Sequence, residues 1–291
     1  MTVKASRFII IGVGGIGSYL ADFIGRVVNV NAPGSQLMLI DGDQFEPKNA
    51  ERQNFSKYGN KAKSVSSDLM QKLDETLVIA KPAWIVSEEK ATSNSEDEEG
   101  VSLISAETLL KDGDVVFCCV DNFGARKLVF DAASKIDNID VFTGGNEEDG
   151  FGSTYYYRRR DGVDVTDHPA VHHPEFSNPP DKNPGEMSCA DRALVVSGTQ
   201  LIATNVAVAA NMCHDAHQAL FADAASDIEG DESHLAAAIL TSEKMWNLDD
   251  ATSRAWARCD DDTFEAMCQI NTDIAEITHG KVVKLEEVLT S

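Results

Sequence analysis

A glycine-rich turn near the start of the chain has the composition and spacing of a phosphate-binding loop. Residues 12–17 read Gly-Val-Gly-Gly-Ile-Gly, where the apolar run Phe8–Val13 ends. Glycines allow the backbone to approach a phosphate closely, and a helix starting here would offer free N–H groups and a positive dipole. Asp41 ends the next apolar run, about where a carboxylate accepts hydrogen bonds from ribose hydroxyls. The pattern predicts a nucleotide site and leaves NAD, FAD and ATP open. Its predicted contacts are Gly12, Gly14, Gly15, Gly17 and Asp41.

The residues after Asp41 carry a second set of charged and amide side chains. Residues 41–53 read Asp-Gly-Asp-Gln-Phe-Glu-Pro-Lys-Asn-Ala-Glu-Arg-Gln. This segment resembles the signature of the ThiF/MoeB/HesA family, D-x-D followed by N-x-x-R-Q. The family comprises adenylating enzymes related to the ubiquitin-activating enzymes. Gly59-Asn60-Lys61-Ala62 is similar to the family's G-x-x-K-A, shortened by one residue.

Two more matches follow in chain order. Residues 115–122 (VVFCCVDN), with Arg126 behind them, resemble a family strand that ends in C-x-D-N-x-x-x-R. Ser188-Cys189-Ala190, ahead of a long apolar run, is similar to the family's crossover-loop cysteine. Gln200 and Asn205, in the apolar run after Cys189, resemble the sequence of a divergent branch of the family found on phages and mobile elements. The ordered matches favour ATP over a nicotinamide cofactor.

The resemblance implies an ATP-dependent adenylyltransferase that uses Mg²⁺. Its substrate would be the C-terminal carboxylate of a small ubiquitin-like or sulfur-carrier protein, or of a peptide, and pyrophosphate would be released. The family also implies a homodimer. Because the reaction brings two negative groups together, its site needs fixed cations rather than much covalent chemistry.

Four residues are predicted to contact the phosphates. Arg52 and Lys61 would supply positive charge, while Asn49 and Gln53 would donate amide hydrogen bonds. A surface ion pair is the alternative for Arg52. Lys61 is preferred to Lys63 because four and eight residues beyond it lie apolar positions, as in the family helix.

The end of the most apolar run carries the predicted metal ligand. Asp121 can hold Mg²⁺, which takes a carboxylate together with phosphate oxygens, and Asn122 is predicted to lie in the same nucleotide site. Asp43 would add to the metal site or bind ribose. The alternative is that Asp121 and Asn122 cap the helix carrying Arg126, which itself is expected to form an ion pair.

Cys189 has two interpretations that the sequence leaves open. A thiol is a suitable nucleophile for capturing an acyl-adenylate as a thioester, and family members use the matching cysteine in this way or dispense with it. The alternative is a small apolar residue packed at the start of the following helix.

Alternating apolar and helical patterns predict the elements that position these residues. Strands are expected at Phe8–Val13, Leu37–Ile40, Trp84–Val86, Val115–Val120 and Ile139–Phe142. Helices are expected from Ser18 to about Val28, from Lys61 through Leu77, from Gly124 to Lys135 and over Leu194–Met212. Ser153–Arg159 and Val163–Val165 flank Asp161-Gly162, which predicts a hairpin. Arg158, Arg159 and Arg160 are expected to be a solvated basic turn, with an acidic partner or tail as the alternative.

These patterns predict an α/β fold of the Rossmann-like kind. A mainly parallel sheet with helices on both faces is followed by an antiparallel hairpin, a crossover loop and a helical C-terminal extension. The predicted domains are 1–214, with a nucleotide-binding half at about 1–145 and the hairpin, crossover loop and helix at about 146–214, and an acidic, mostly helical extension at 215–291.

Composition excludes several classes of function. The 291 residues carry 25 basic and 48 acidic side chains, a net charge of −23. A surface this acidic repels nucleic acid and anionic lipid. No uncharged apolar run is long enough to cross a bilayer, and the scattered cysteines form no disulfide pattern, so a cytoplasmic protein with reduced thiols is expected.

The N-terminus departs from the family pattern. Bacterial members carry an N-terminal helix whose arginine reaches the partner subunit's ATP site, and here only Lys4 or Arg7 could serve. The alternative function is therefore a catalytically degenerate nucleotide-binding interaction module. An NAD(P)-dependent oxidoreductase is a further alternative, without a dedicated acid or base for hydride transfer.

Overall fold

The computed structural model describes residues 6–146, 150–192, 201–221, 242–248, 251–256 and 258–259. The strands are β1 (Arg7–Ile11), β2 (Gln36–Ile40), β3 (Gln44–Phe45), β4 (Gly59–Asn60), β5 (Leu77–Lys81), β6 (Ala83–Val86), β7 (Ser102–Ser105), β8 (Asp114–Cys118), β9 (Ile139–Asn146), β10 (Phe151–Arg160), β11 (Val163–Asp164), β12 (Glu243–Asn247) and β13 (Thr252–Trp256). The helices are α1 (Gly17–Asn31), α2 (Lys61–Leu69), α3 (Glu88–Ser93), α4 (Ala106–Leu109), α5 (Phe123–Ala133), α6 (Cys189–Arg192) and α7 (Ile202–Phe221).

One large sheet organises the described residues. Its strand order is β5-β2-β1-β8-β9-β10-β12-β13, and β11 pairs with β10. The pairs from β5 to β9 are parallel, and all later pairs are antiparallel. This confirms the predicted α/β class with a mainly parallel sheet. No helix in the described ranges is long and apolar enough to cross a membrane.

Both faces of the parallel strands are buried, which explains their nearly continuous apolar sequences. In β1, Phe8 and Ile10 pack toward α1, α2 and α7, whereas Ile9 and Ile11 pack toward α4 and α5. The helices therefore fix the carboxyl ends of the strands at one edge of the sheet, where a ligand site is expected in this class of fold.

Strand β5, at the edge of the parallel sheet, lies where the sequence predicted the end of a helix. The apolar spacing from Lys61 through Leu77 predicted one helix, but α2 ends at Leu69, and Leu77 instead begins β5. The spacing was misleading because Leu73 packs into the core from the turn after α2. The predicted strand at Trp84 is β6, which pairs with β7 in a separate parallel sheet.

The C-terminal part also differs from the prediction. The apolar helix expected at Leu194–Met212 is α7, which runs on to Phe221, and residues 193–200 lie outside the described ranges. The expectation of a mostly helical extension is wrong for the described residues, because β12 and β13 add an antiparallel hairpin to the large sheet. The domain boundary at residue 214 stays a prediction.

The predicted hairpin is confirmed, but its arginines do not form a solvated turn. Asp161 and Gly162 connect β10 to β11 with positive φ angles of 50° and 77°. Arg158 is buried and donates through Nε to Asp140 Oδ1 over 2.8 Å. Arg160 donates to the other oxygen of Asp140 over 2.7 Å, and Arg159 pairs with Asp164. The cluster is satisfied within the chain.

Candidate active site

The glycine turn between β1 and α1 is packed tightly on one side and open on the other. Gly12 has a φ of 88°, and a Cβ there would lie 2.9 Å from the backbone of Cys119 and Val120. A Cβ on Gly17 would lie 2.0 Å from the Gly12 carbonyl oxygen. A Cβ on Gly14 meets nothing within 4 Å. No side chain in the described ranges caps α1 at Ile16, so the open side of the turn can present backbone N–H groups to an anion.

Asp41 ends β2 and fixes the glycine turn. Its Oδ2 accepts a 2.6 Å hydrogen bond from the Val13 amide, and its Oδ1 accepts a 2.8 Å hydrogen bond from the Asp43 amide. Burial holds the pKa of Asp41 above its ordinary value, although the charge of Lys61 and the Val13 amide act in the opposite direction. The carboxylate predicted to bind ribose thus also organises two loops of the site.

Lys61 lies at the start of α2 with its ammonium group among carboxylates. The residue is 8% exposed, and Nζ lies 2.5 Å from Asp43 Oδ2. Burial alone would lower the pKa of Lys61, but Asp41, Asp43 and Asp121 raise it above its ordinary value. Lys63 is exposed. The structure therefore brings Lys61, and not Lys63, to the acidic residues predicted for the site.

The backbone of the loop that carries Asp43 is held by the cap of α2. Asn60 donates through Nδ2 to the carbonyl oxygens of Asp41 and Asp43, over 2.9 and 3.1 Å. Its Oδ1 accepts from the Lys63 amide and caps the helix. One asparagine thus aligns Lys61 with both acids.

Asp121 and Asn122 follow β8 and have different surroundings. Asp121 is exposed, and among the described residues its carboxylate makes no hydrogen bond or ion pair, although its charge raises the pKa of Lys61. Asn122 is 9% exposed and caps α5 by accepting a 2.7 Å hydrogen bond from the Ala125 amide. The helix-capping alternative therefore holds for Asn122 and not for Asp121.

Within the described part of the chain, Arg126 does not form the expected ion pair. Its guanidinium group donates to the Val120 carbonyl oxygen over 3.0 and 3.1 Å and to the Gly144 carbonyl oxygen over 2.8 Å. These carbonyl groups lie just after β8 and within β9. Arg126 thus ties together the two strand ends beside Asp121.

The loop from Asn49 to Gln53 lies over the first turn of α1. The Asn54 amide donates to Ser18 Oγ over 3.0 Å. Asn49 is buried, and its Oδ1 accepts from the Glu46 amide over 2.9 Å, so this oxygen serves the local turn. Gln53 is 9% exposed, and its Oε1 is buried without a hydrogen-bond partner among the described residues. An unpaired buried amide oxygen is costly to leave, which fits a ligand group or water bound there.

Two asparagines that the sequence reasoning did not assign to the site support this loop. Asn205, fully buried in α7, donates through Nδ2 to the Arg52 carbonyl oxygen over 3.2 Å. Its Oδ1 accepts a 2.6 Å hydrogen bond from Asn146 at the end of β9. An amide side chain inside an apolar helix is the signal that could have identified Asn205.

Of the remaining predicted residues, the structure describes the side chain of Arg7 alone, and it lies outside this cluster. Cys189 begins α6, and its side chain lies outside what the structure describes. Arg7 is engaged at the opposite edge of the sheet, where it donates to both oxygens of Asp114 over 2.9 and 2.8 Å. Lys4 lies outside the described residues.

A cavity adjoins the acidic loop. Its volume is about 360 Å³, and its walls include Gly42, Asn60, Lys63 and Pro82. No three His, Cys, Asp or Glu side chains gather as a metal site within the described ranges. A cation at Asp121 would therefore take its other ligands from water or a bound phosphate, as Mg²⁺ commonly does.

Several solved proteins share this architecture. PaaA is 15% identical, with a TM-score of 0.56, and the match covers 88% of this chain and 64% of that chain. E. coli MccB solved with ATP is 15% identical, with a TM-score of 0.57 and coverages of 89% and 65%. The microcin C7 biosynthetic enzyme MccB in complex with N-formylated MccA is 14% identical, with a TM-score of 0.58 and coverages of 88% and 66%.

At this identity the likeness concerns the fold alone, and the chain spans slightly less than two thirds of the length of these solved proteins. No curated protein sequence matches the chain. The ThiF family pattern, however, matches residues 1–263, which includes the glycine turn, Lys61, Asp121 and the strands β12 and β13. The chain therefore belongs to the ThiF family.

Proposed function

We propose that the chain is an ATP-dependent adenylyltransferase acting on the C-terminal carboxylate of a small ubiquitin-like or sulfur-carrier protein, or of a peptide. The observation that carries this proposal is the position of Lys61. Its ammonium group is buried beside Asp43, within electrostatic reach of Asp41 and Asp121, at the strand ends next to the glycine turn. A buried cation placed there is suited to negative charge that develops on phosphate oxygens.

In the proposed reaction, a carboxylate oxygen of the substrate attacks the α-phosphorus of ATP. A carboxylate–phosphorus bond forms, the bond to the β-phosphate oxygen breaks, and pyrophosphate leaves. The products are an acyl-adenylate and pyrophosphate. In the same proposal the Cys189 thiolate then displaces AMP from the acyl carbon and forms a thioester.

The chain's own residues have separate tasks in this scheme. The open side of the glycine turn at Gly14 offers backbone N–H groups to the phosphates. Lys61 supplies fixed charge, and the loop carrying Arg52 and Gln53 covers the first turn of α1. The cavity beside Gly42 has room for a base, since about 360 Å³ is within the usual range of small-molecule sites.

Asp121 is the residue that would hold Mg²⁺. Its exposed carboxylate has no partner among the described residues. This fits a metal ligand, with substrate oxygens filling the other coordination positions of the ion. When bound, Mg²⁺ would neutralise charge on the leaving pyrophosphate. Asp43 is already paired with Lys61 and would contribute less readily.

The nature of the partners rests on the related structures. MccB, which shares the fold, is solved with ATP and with N-formylated MccA. These complexes favour a proteinaceous acceptor and ATP for this chain too. A homodimer, as the family resemblance implies, belongs to the same proposal.

Exchange of labelled pyrophosphate into ATP tests the proposal. Carrier proteins ending in Gly-Gly and short peptides would serve as carboxylate donors. Asp121→Ala should lower exchange by about 10² or more if Asp121 holds the metal. Asp137→Asn, an exposed position just beyond α5, is the matched control. An Asp121→Ala protein that exchanges as fast as wild type would contradict the assignment.

A second candidate function is nucleotide binding without transfer. It is favoured by Arg7, which is engaged with Asp114 and so does not extend toward a partner's site. Titration calorimetry with Mg-ATP separates the two functions when combined with the exchange assay. Binding without substrate-dependent pyrophosphate release would support the interaction module.

A further inference from the structure

The loop between the two acids of the site is packed against an aromatic ring. Gly42, which is buried between Asp41 and Asp43, lies against the indole of Trp84. A Cβ at residue 42 would lie 2.4 Å from two ring carbons of this indole. Trp84 belongs to β6, so the position of the acidic loop depends on an element outside the large sheet.

The same indole is covered by an arginine from a distant part of the chain. Arg192 Cζ lies 4.9 Å from the centre of the Trp84 ring, within cation–π range. Arg192 Nη2 also donates to Asp97 Oδ2 over 2.7 Å, with side-chain exposures of 14% and 8%. Asp97 lies in the segment 93–100, whose residues are otherwise exposed. A charge-assisted hydrogen bond of this kind is roughly twice as strong as a neutral one.

Asp97 is itself held in place. Its Oδ1 accepts from the amides of Glu99 and Val101, each over 2.9 Å. Burial alone would raise the pKa of Asp97. Arg192 and these amides lower it by more, so the pKa of Asp97 lies below its ordinary value. The carboxylate is therefore a rigid acceptor for the guanidinium group.

Arg192 ends α6, the turn that begins at Cys189. Its amide donates to the Ser188 carbonyl oxygen over 3.0 Å. The residues just before α6 are docked on β6 and α3. Asn183 Nδ2 donates to the Ile85 carbonyl oxygen, and Lys90 Nζ donates to the Gly185 carbonyl oxygen, each over 2.7 Å. Arg192 therefore holds the C-terminal end of the segment 183–192, whose N-terminal end is held by β6 and α3.

We propose that Trp84, Arg192 and Asp97 form a clasp that positions the Cys189 turn beside the acidic loop of the nucleotide site. In this proposal the clasp residues act through Gly42 and α6, so they are positioning residues. This inference rests on the proposed function for the use of Cys189. The stacked indole connects Gly42 to Arg192, so a ligand bound at Asp41 and Asp43 is coupled to α6, and the coupling is reciprocal.

Site-resolved alkylation tests the clasp without requiring turnover. The full chain without nucleotide is treated with iodoacetamide, and the rate at each cysteine is read by peptide mass spectrometry. Arg192→Ala removes the stack and the ion pair, so Cys189 should react about tenfold faster as α6 opens locally. Cys118 and Cys119 are buried and should keep their wild-type rates. Lys182→Ala, an exposed position in the same segment, is the control and should leave every rate unchanged.

The outcomes separate the clasp from general instability and from the proposed function. Equal Cys189 rates in Arg192→Ala and Lys182→Ala overturn the clasp. If Arg192→Ala also exposes Cys118, this variant has unfolded and Asp97→Asn replaces it as the test. An unchanged alkylation rate at Cys189 in Asp97→Asn then overturns the clasp. Mg-ATP should change the Cys189 rate in wild type and change it less in Arg192→Ala. A wild-type chain that binds no ATP refutes the proposed function. The Cys189 rates of Arg192→Ala and Lys182→Ala without nucleotide still test the clasp in that case.

Discussion

The Lys61 ammonium group lies 2.5 Å from the Asp43 carboxylate. The negative charges of Asp41 and Asp121 also raise the pKa of Lys61. One ammonium group thus faces three carboxylates, and the site is locally negative in a chain whose net charge is −23. A polyphosphate can bind here only if further positive charge is supplied, which gives the site two measurable requirements.

The first requirement is Lys61 itself. Lys61→Ala should lower the rate of pyrophosphate exchange by about 10² or more, because the buried charge facing the phosphates is lost. Lys63→Ala is the matched comparison, two residues along the same helix, exposed and at the wall of the cavity beside Gly42, and it should lower exchange less than Lys61→Ala because an exposed charge is screened by water. The reverse order of effects would assign the phosphate contact to Lys63.

The second requirement is a divalent cation. With EDTA present, calorimetry should show ATP binding weakened by at least about tenfold relative to Mg-ATP, because Asp121 and the phosphates then repel each other. The same titration on Asp121→Asn should show a smaller effect of EDTA. Equal effects of EDTA on the two proteins would remove Asp121 from the metal site.

The parallel core of this fold was predictable because its strands are buried on both faces. The apolar runs that became β1 and β8 contain almost no polar residue. Lys61 was predictable because the next two apolar positions of α2 follow at four-residue intervals and share one helix face. These features depend on short-range patterns, which a single sequence displays directly.

Other features depend on contacts that sequence spacing does not display. Glu243 and Lys244 make β12 look polar, but they are matched by His173 and Asp215 from other elements. The oxygen of Asn49 accepts from the Glu46 amide in a local turn, while donation by its amide group to phosphate stays a prediction. The support that Asn205 gives to the Arg52 loop spans 153 positions of the chain. Only the fold brings such partners together.

The glycine turn should separate folding from ligand binding. Gly17→Ala places a Cβ 2.0 Å from the Gly12 carbonyl oxygen and should lower the free energy of unfolding by about 1–3 kcal/mol or more. Gly14→Ala meets open space, so its stability should change by less than about 1 kcal/mol. Its affinity for ATP should nevertheless fall, because the methyl group stands where a phosphate approaches. Denaturant titration and calorimetry of both proteins check this pair.

Asn205 should matter more for exchange than its distance from the acids suggests. Asn205→Ala removes the hydrogen bond to the Arg52 carbonyl oxygen and leaves Asn146 without its acceptor. The loss of about 1–3 kcal/mol should appear mainly as a raised KM for ATP, because the loop over α1 is loosened. Asn211→Ala is the control on the same helix, where the side chain bonds only to the carbonyl oxygen of Ala207 among the described residues. Equal KM values for the two variants would argue against a role of Asn205 in holding the loop.

The acid stability of the chain should depend on Asp140. Its side chain is 7% exposed and pairs with Arg158, which is 4% exposed. Burial raises the pKa of Asp140, but Arg158 and Arg160 outweigh it and hold the pKa below its ordinary value. A group whose pKa is lower in the folded state stabilises the fold above its unfolded pKa, near 3.9, and loses this contribution as pH falls through the folded value.

Asp140→Asn should therefore destabilise the chain by about 3–5 kcal/mol at neutral pH, because the buried Arg158 loses its ion pair with the Asp140 carboxylate. The difference from wild type should be constant above about pH 5 and shrink below about pH 4. Asp131→Asn removes an exposed pair with Lys127 and should cost less than about 1 kcal/mol. Urea titrations of the three proteins from neutral to acidic pH measure these differences. A difference between wild type and Asp140→Asn that grew on acidification would mean that Asp140 is protonated in the folded chain, and that Arg158 is balanced by another group.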